Sequence, residues 1–263
     1  MSLVFSAITP HPPMLIPSIG QEAIKKLEKT KLALEHLEKK LYVTHPDILI
    51  ILSPHGSYFK DAFTLNANPH YQTDLKSFGD LATKIKFSGE TSLSNLIRES
   101  ASKEHLPLTM ISEPKLDHSS SVPLFYLAQH LSKIKIIPIG FCDLDWKTHV
   151  AFGTLLKEQI AQTNKRVAVI ASGDLSHALM TDSPTGYNPA GAEFDKKIQE
   201  LLASHNLAGM LQMDKEMVIG ASECGFRSFL ILMGILQGMQ TTYKSFAYEA
   251  PFGIGSLTAN VVL

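Results

Sequence analysis

Short apolar runs alternate with amphipathic segments along most of the chain. Residues 48–52, 134–141 and 166–171 are nearly continuous in isoleucine, valine, leucine and alanine, which predicts strands buried on both faces of a sheet. Residues 3–8 form a similar run that ends at a proline-rich loop. In residues 20–43 apolar side chains recur at helical spacing between lysines and glutamates, which predicts an amphipathic helix covering one face of the core.

The alternation continues to the end of the chain. Further helices are predicted at residues 92–105, 122–131, 146–162, 190–204, 207–220 and 226–237, and further strands at 108–111, 242–248 and 254–262. Residues 57–90 are polar and irregular, which indicates an excursion of short strands. Strands that alternate with helices favour an α/β fold with a largely parallel central sheet flanked by helices, in a phosphorylase/hydrolase-like layered architecture. We expect a single domain over residues 1–263, which could also be one domain of a longer protein because no tail follows the last strand.

Composition and charge exclude several classes of protein. The formal net charge is −1 and the basic residues form no stripe, so a nucleic-acid-binding surface is not expected. The most apolar stretch, residues 229–239, is shorter than the roughly 20 residues that span a bilayer, and no basic segment of signal-peptide type opens the chain. Two cysteines make no disulfide framework and suit a reducing compartment. We therefore expect a cytoplasmic protein that neither crosses a membrane nor binds nucleic acid.

Histidines follow several of the predicted strands. His11 comes after the first strand, His55 after the run 48–52, and Asp174 and His177 after the run 166–171. His118 lies in a predicted loop before a helix. Ligand crevices of open α/β sheets lie outside the carboxyl ends of the strands, so these side chains are expected to converge there.

Two histidines and one carboxylate form the metal site of non-haem iron(II) oxygenases. Glu223, just before the apolar helix, and Glu249, at a strand end, are candidates for the carboxylate by position alone. Each of these residues also has a purely structural interpretation. Asp174 can cap a turn, Glu223 can be a carboxylate that the helix dipole favours at an N-terminus, and Cys224 can be a small buried residue. No glycine-rich nucleotide-binding motif and no nucleophile elbow is present. We assign no chemistry to the histidines in helical or polar surroundings, His36, His45, His70, His105, His130, His149 and His205.

Five short motifs occur in a characteristic order along the chain. They are TPHPP, SPHG, LDHSSSVPL, SGDLSH and ECGFRS. With them the chain resembles the class III extradiol ring-cleavage dioxygenases, represented by the protocatechuate 4,5-dioxygenase β subunit. It looks closest to the prokaryotic branch associated with Memo-like proteins, AMMECR1-like domains and radical SAM enzymes. The resemblance covers essentially the whole chain.

The resemblance implies a role for each of these motif residues. His11 and His55 match the two iron-binding histidines, and His177 matches the histidine that acts first as base and then as acid. His118 matches a histidine near the metal or the substrate. Glu223 matches the family's carboxylate ligand and is preferred over Glu249. In Memo-like relatives a cysteine holds this position, and here Cys224 is adjacent to Glu223.

The resemblance also implies an activity and its alternatives. The expected cofactor is Fe(II), with zinc as the alternative, and the expected substrates are an aromatic diol and O2. Asp174 would orient the loop that carries His177. Two rivals remain, a zinc-dependent hydrolase and a Memo-like metal-binding protein without ring-cleaving activity. A homo-oligomer, and an AMMECR1-like or radical SAM partner, are compatible with the resemblance, although nothing in this chain supplies the small second subunit of the protocatechuate enzyme.

Overall fold

The structure is a computed structural model that describes residues 2–263. Its strands are β1 Leu3–Thr9, β2 Ile48–Ser53, β3 Phe63–Asn66, β4 His70–Thr73, β5 Lys86–Gly89, β6 Leu108–Ile111, β7 Lys115–Leu116, β8 Lys135–Gly140, β9 Val167–Ser172, β10 Thr242–Glu249 and β11 Ser256–Val262. Its α-helices are α1 Pro17–Gly20, α2 Glu28–Tyr42, α3 Thr91–Lys103, α4 His118–Leu127, α5 Trp146–Gln162, α6 Pro189–Ala203, α7 Leu207–Leu211, α8 Lys215–Ala221 and α9 Phe226–Leu236. Short 3-10 segments occupy Pro13–Leu15, Gln21–Leu27 and Lys76–Phe78.

The strands form one mixed sheet whose centre is parallel. Its order is β10-β11-β1-β9-β2-β8-β5-β4-β7, and β3 pairs with β8 and β6. Five adjacent strands run parallel to one another, in the order β1-β9-β2-β8-β5. The pairs β1–β11, β10–β11, β4–β5 and β3–β8 are antiparallel. The predicted α/β architecture with a largely parallel central sheet is therefore confirmed.

Helices cover both faces of this sheet. In β2, Ile48, Ile50 and Leu52 belong to one buried apolar cluster, and Leu49 and Ile51 belong to the other. Successive side chains of a strand point to opposite faces, so a strand between two helical layers must be apolar throughout. The helix α9 is buried along most of its length beneath one of these faces. Within residues 2–263, no helix combines the length and the apolar character needed to cross a membrane.

Three helical predictions differ from the structure. The segment predicted as one helix at residues 20–43 is the 3-10 segment Gln21–Leu27 followed by α2. The helix predicted at residues 122–131 begins earlier, because the Asp117 carboxylate accepts a hydrogen bond from the Ser120 N–H and caps the helix there. His118 is consequently the first residue of α4 and does not lie in a loop. The helix predicted at residues 207–220 is divided into α7 and α8, and Asp214 caps the second.

Helices α5 and α9 approach each other closely through two glycines. A Cβ atom on Gly153 would lie 2.1 Å from the Ile231 carbonyl oxygen, and one on Gly234 would lie 2.3 Å from the Val150 carbonyl oxygen. The backbones of the two helices therefore pack directly against each other at this point.

Gly153→Ala is expected to lower the free energy of unfolding by about 1–3 kcal/mol because the helices must separate. In an exposed helix the same change would be stabilising by up to about 1 kcal/mol, so the sign of the effect tests the contact. Ala151→Gly, on the exposed side of α5, is the control and should show only the ordinary cost of glycine in a helix. Urea unfolding of the three proteins measures both effects, and a stabilised Gly153→Ala protein would contradict the proposed packing.

Candidate metal centre

Three neighbouring strands bring the predicted residues to one edge of the sheet. In the strand order β1-β9-β2, His11 follows β1, Asp174 and His177 follow β9, and His55 follows β2. These strands are parallel, so their carboxyl ends lie together. The crevice at this edge is where open α/β sheets place their ligands.

Three histidine rings are in contact in this crevice. The His11 ring centroid lies 5.0 Å from that of His55 and 5.3 Å from that of His118, and both pairs are edge-on. His55 and His118 are stacked at 4.6 Å. One ring nitrogen from each residue lies within 4.8 Å of those of the other two. The structure thus brings together His11, His55 and His118, as the sequence predicts.

His11 also belongs to a second group of potential ligands, with Asp174 and Cys224. Its Nε2 lies 3.5 Å from Asp174 Oδ2 and 3.6 Å from the Cys224 Sγ atom. The backbone N–H of His11 donates to Asp174 Oδ1 at 3.1 Å. We refer to His11, His55, His118, Asp174 and Cys224 together as the donor cluster.

A contact between two glycines brings Cys224 to the cluster. A Cβ atom on Gly173 would lie 2.1 Å from the Gly225 Cα atom, so only glycine allows this approach. The backbone N–H groups of Cys224 and Gly225 then donate to the Asp174 carbonyl oxygen. The turn before α9 is thereby held against the loop after β9, with the Cys224 thiol facing His11.

Serine hydroxyls and Asp117 hold the histidine-bearing segments in place. The Asp117 carboxylate accepts hydrogen bonds from the Ser53 hydroxyl at 2.7 Å and the Ser119 hydroxyl at 2.5 Å, in addition to the Ser120 N–H. Ser53 is the last residue of β2 and precedes His55 by two positions, while Asp117 directly precedes His118. This carboxylate therefore links the segments that carry His55 and His118.

The hydroxyl of Ser172 determines which nitrogen of His11 faces the other donors. It donates to the Ser119 carbonyl oxygen at 2.6 Å and lies 3.0 Å from His11 Nδ1. Because its hydrogen is already used, this hydroxyl must accept the hydrogen bond, which places the His11 proton on Nδ1. The lone pair of His11 is then on Nε2, the atom nearest to Asp174 Oδ2 and Cys224 Sγ, as a metal ligand requires.

Burial disfavours the charged form of each residue in the donor cluster. It lowers the pKa of His11 well below its usual value, and neighbouring His55, His118 and His177 lower that pKa further. Burial and His55 lower the pKa of His118 to about 4. Burial also raises the pKa of the Asp174 carboxyl to about 7 and that of the Cys224 thiol well above its usual value. Neutral imidazoles beside a buried carboxyl and thiol are the donor types that a divalent metal ion binds, so the residues fit such an ion.

His177 borders the donor cluster. Burial, and then His55, lower its pKa below the usual histidine value. Its Nδ1 atom is buried, and backbone hydrogen bonding by Ser222 and Leu175 raises the pKa again in part. A neutral imidazole is suited to accepting a proton.

The structure does not bring the two candidate glutamates into the donor cluster. Glu223 Oε2 accepts a hydrogen bond from the Phe226 N–H at 2.5 Å, and the residue lines a different cavity with Trp146. Glu249 Oε1 accepts a hydrogen bond from the Thr30 N–H at 2.7 Å. The motif resemblance favours Glu223 as the carboxylate ligand, with Cys224 as its neighbour in the Memo-like pattern. The glycine directly after Cys224 was the available signal of a close backbone approach at this turn.

The fold and these residues define an α/β protein with an imidazole, thiol and carboxylate cluster at the carboxyl edge of its sheet. Over residues 6–259 the chain matches the family described as "Catalytic LigB subunit of aromatic ring-opening dioxygenase". It is 33% identical over 264 residues to Protein CA_C1420 of Clostridium acetobutylicum, and the aligned region covers 97% of this chain and 56% of that protein. The chain belongs to the LigB family, and the resemblance to class III extradiol dioxygenases predicted from its motifs is confirmed.

Two further curated proteins and one solved structure are similar. The chain is 29% identical over 151 residues to the 3,4-dihydroxyphenylacetate 2,3-dioxygenase of Escherichia coli, covering 55% of this chain and 51% of that protein. It is 29% identical over 113 residues to a MEMO1 family protein of Methanosarcina mazei, covering 43% and 39% respectively. The chain thus spans about half the length of the curated relatives it matches. The uncharacterised protein JW3007 of Escherichia coli K12 shares the fold, with a TM-score of 0.66, 16% identity and coverage of 98% of this chain and 99% of that one.

Proposed function

We propose that this protein is a non-haem Fe(II)-dependent dioxygenase of the extradiol type, which opens the ring of an aromatic diol with O2. The observation that carries the proposal is the position of His177, a half-buried imidazole beside a cluster of metal donors, whose pKa burial and His55 lower. Binding a metal ion alone requires no such proton acceptor. Membership of the LigB family and the similarity to a dihydroxyphenylacetate dioxygenase support the same reaction.

The metal ligands in this proposal are His11, His55 and Cys224. His11 belongs to both donor groups, and its tautomer leaves Nε2 free. Cys224 replaces Glu223 in the predicted ligand set because its sulfur lies 3.6 Å from His11 Nε2. When bound, the ion supplies Lewis-acid and redox chemistry to the diol and O2.

The protein's own residues bind the diol and move its proton. A cavity of about 280 Å³ opens beside His55 and is lined in part by Asn66 and Asp74 from the excursion of short strands. His118 stacks on His55, which lines this cavity. His177 accepts the proton of a diol hydroxyl on its neutral ring and returns it when the ring opens. Asp174 anchors the backbone of His11 and the turn that carries Cys224.

The ligand set predicts different effects for two adjacent residues. Cys224→Ser should reduce iron affinity about tenfold or more, because a hydroxyl is a poor substitute for a thiolate as a soft ligand. Glu223→Gln should leave iron affinity unchanged, because its carboxylate faces another cavity. Iron content after anaerobic reconstitution and titration with a chelator measures both. Iron that is lost in Glu223→Gln and retained in Cys224→Ser would restore the carboxylate ligand predicted from the sequence.

Oxygen uptake tests the reaction itself. Iron-loaded protein should consume O2 in proportion to the catechol added and form a yellow ring-opened product, and zinc-loaded protein should do neither. Turnover that needs no O2 and proceeds with zinc would replace the proposal with a metal-dependent hydrolase.

A second candidate is a Memo-like metal-binding protein without ring-cleaving activity. One observation favours it: the structure presents a cysteine to His11, where the resemblance to ring-cleaving enzymes predicts a glutamate. Such a protein would bind metal through His11 and Cys224 but consume no O2 with a broad panel of catechols. Metal binding without uptake therefore supports this candidate over the dioxygenase.

A further inference from the structure

A second cavity lies on the other side of the turn that presents Cys224. Its volume is about 570 Å³, within the range of small-molecule sites, and Ser222 and Glu223 contribute to its wall. The five donor-cluster residues and His177 do not line it. Because Cys224 faces His11 and the preceding residue faces this cavity, residues 222–225 separate the two sites. We refer to it as the Trp146 cavity.

One wall of the Trp146 cavity is apolar and held in place. Trp146, at the first position of α5, contacts the fully buried Phe226 edge-on with ring centroids 5.0 Å apart. Val218 and Ile219 of α8 also line the cavity, and Ile219 is 68% exposed. A flat aromatic ring beside branched aliphatic side chains is suited to the body of a small aromatic molecule.

The charged groups of the cavity are unevenly paired. Backbone N–H groups already donate to two of its three carboxylates, since the exposed Asp145 caps α5 and the half-buried Glu223 accepts from the Phe226 N–H. Lys147 and Lys215, in contrast, have no carboxylate within 4.0 Å among residues 2–263. Lys215 Nζ lies over the Trp146 ring at 5.9 Å, so the two lysines line the cavity without a carboxylate partner, and one of them is placed beside the aromatic wall.

Arg227 is the strongest anion-binding group in this cavity. Its guanidinium packs over Phe141 at 5.6 Å, and Asp143, the one carboxylate within 4.0 Å of it among residues 2–263, lies at 3.5 Å, which is long for a charge-assisted hydrogen bond. The Glu223 carboxyl is also near enough for Arg227 to lower its pKa. Its Nε is buried and without an acceptor in the described part of the chain. The guanidinium is thus positioned by an aromatic ring, and within residues 2–263 its terminal N–H groups have only the long contact with Asp143, which leaves them able to bind a carboxylate.

We propose that the Trp146 cavity binds a small aromatic carboxylate, with the ring against Trp146 and Ile219 and the carboxylate on Arg227. The site is separate from the donor cluster, and the proposal does not depend on the reaction assigned to that cluster. It requires only the cavity, the fixed tryptophan and the unpaired cations.

The protein contains a single tryptophan, so its fluorescence reports on this cavity directly. Titration with phenylacetate should give a saturable change in Trp146 emission. Phenylacetamide, which has nearly the same shape without the charge, should bind about tenfold more weakly or worse, because a hydrogen bond to a charged group is lost. Equal affinity for the two compounds, or no saturable response to phenylacetate, would overturn the proposal.

Variants locate the bound anion. Arg227→Gln should weaken phenylacetate binding about tenfold or more. Ile219→Asp, at an exposed position on the same wall, should weaken it too without affecting folding, whereas Arg98→Gln, at an exposed position on α3, should change nothing. His11→Ala should retain binding. Loss of binding in His11→Ala, or full binding in both Arg227→Gln and Ile219→Asp, would place the anion elsewhere and refute the assignment.

Discussion

Alanine at His177 is expected to leave the metal bound and to lower kcat by about 100–10,000-fold, the usual contribution of a positioned acid–base group. The side chain lies outside both groups of potential ligands but lowers the pKa of His11, so it is close to them without holding the ion in our proposal. Its removal eliminates the proton acceptor and keeps the ligands. Iron content and steady-state oxygen uptake with a turned-over catechol measure the two properties separately.

The pH dependence gives a second measure of the same role. His177 acts as a base only when neutral, and burial lowers its pKa below about 6.5. Activity should therefore be full at neutral pH and decline as the pH falls through that lowered pKa. A bound cation would lower the pKa further and leave the sign unchanged. His70→Ala, at an exposed position on β4, is the control and should retain both rate and profile. Full activity in His177→Ala would remove His177 from the mechanism.

Alanine at His11 is expected to abolish metal binding. His11 is the one residue shared by both groups of potential ligands, and its Nε2 contacts both Asp174 and Cys224. Affinity should fall by more than about 100-fold, since even the loss of a group that only orients a ligand costs 10–100-fold. Isothermal titration with Fe(II) under anaerobic conditions measures the change.

Thermal unfolding provides an independent readout for His11. A metal that binds the folded state raises the Tm, so added Fe(II) should stabilise the wild-type protein and leave His11→Ala unaffected. His149→Ala is the matched control because His149 is also fully buried, and its ring packs against Phe63 away from the donor cluster. It should lower the Tm but retain the shift with Fe(II). A similar Fe(II) shift in His11→Ala would show that the ion binds elsewhere.

The sequence was sufficient to predict most elements of the fold. Continuous apolar runs such as residues 48–52 predict strands covered on both faces, and β2 and β9 are buried along their whole length. The predicted helix 146–162 begins and ends at the same residues in the structure. Its start was predictable because Asp145 is a clear N-cap. Such features depend on neighbouring residues in the chain and can be read from a local pattern.

The positions of the four histidines were also predictable, for a related reason. Three of them follow an apolar strand and the fourth, His118, lies beside a helix. Parallel strands place their carboxyl ends at one edge of the sheet. The start of α4 was missed although its signal was present, since Asp117 followed by serines is a good capping sequence. His118 therefore lies on the first turn of a helix.

Only the tertiary structure decided which of two consecutive residues lies next to His11. Glu223 and Cys224 are consecutive, and their side chains face different cavities, so sequence position could not distinguish them. The choice depends on the Gly173–Gly225 contact, which joins segments 52 positions apart and sets the direction of the turn. The strand order β1-β9-β2 likewise joins distant parts of the chain. The sequence by itself thus determined the elements and the residues at their ends, whereas non-local packing decided which of those residues meet.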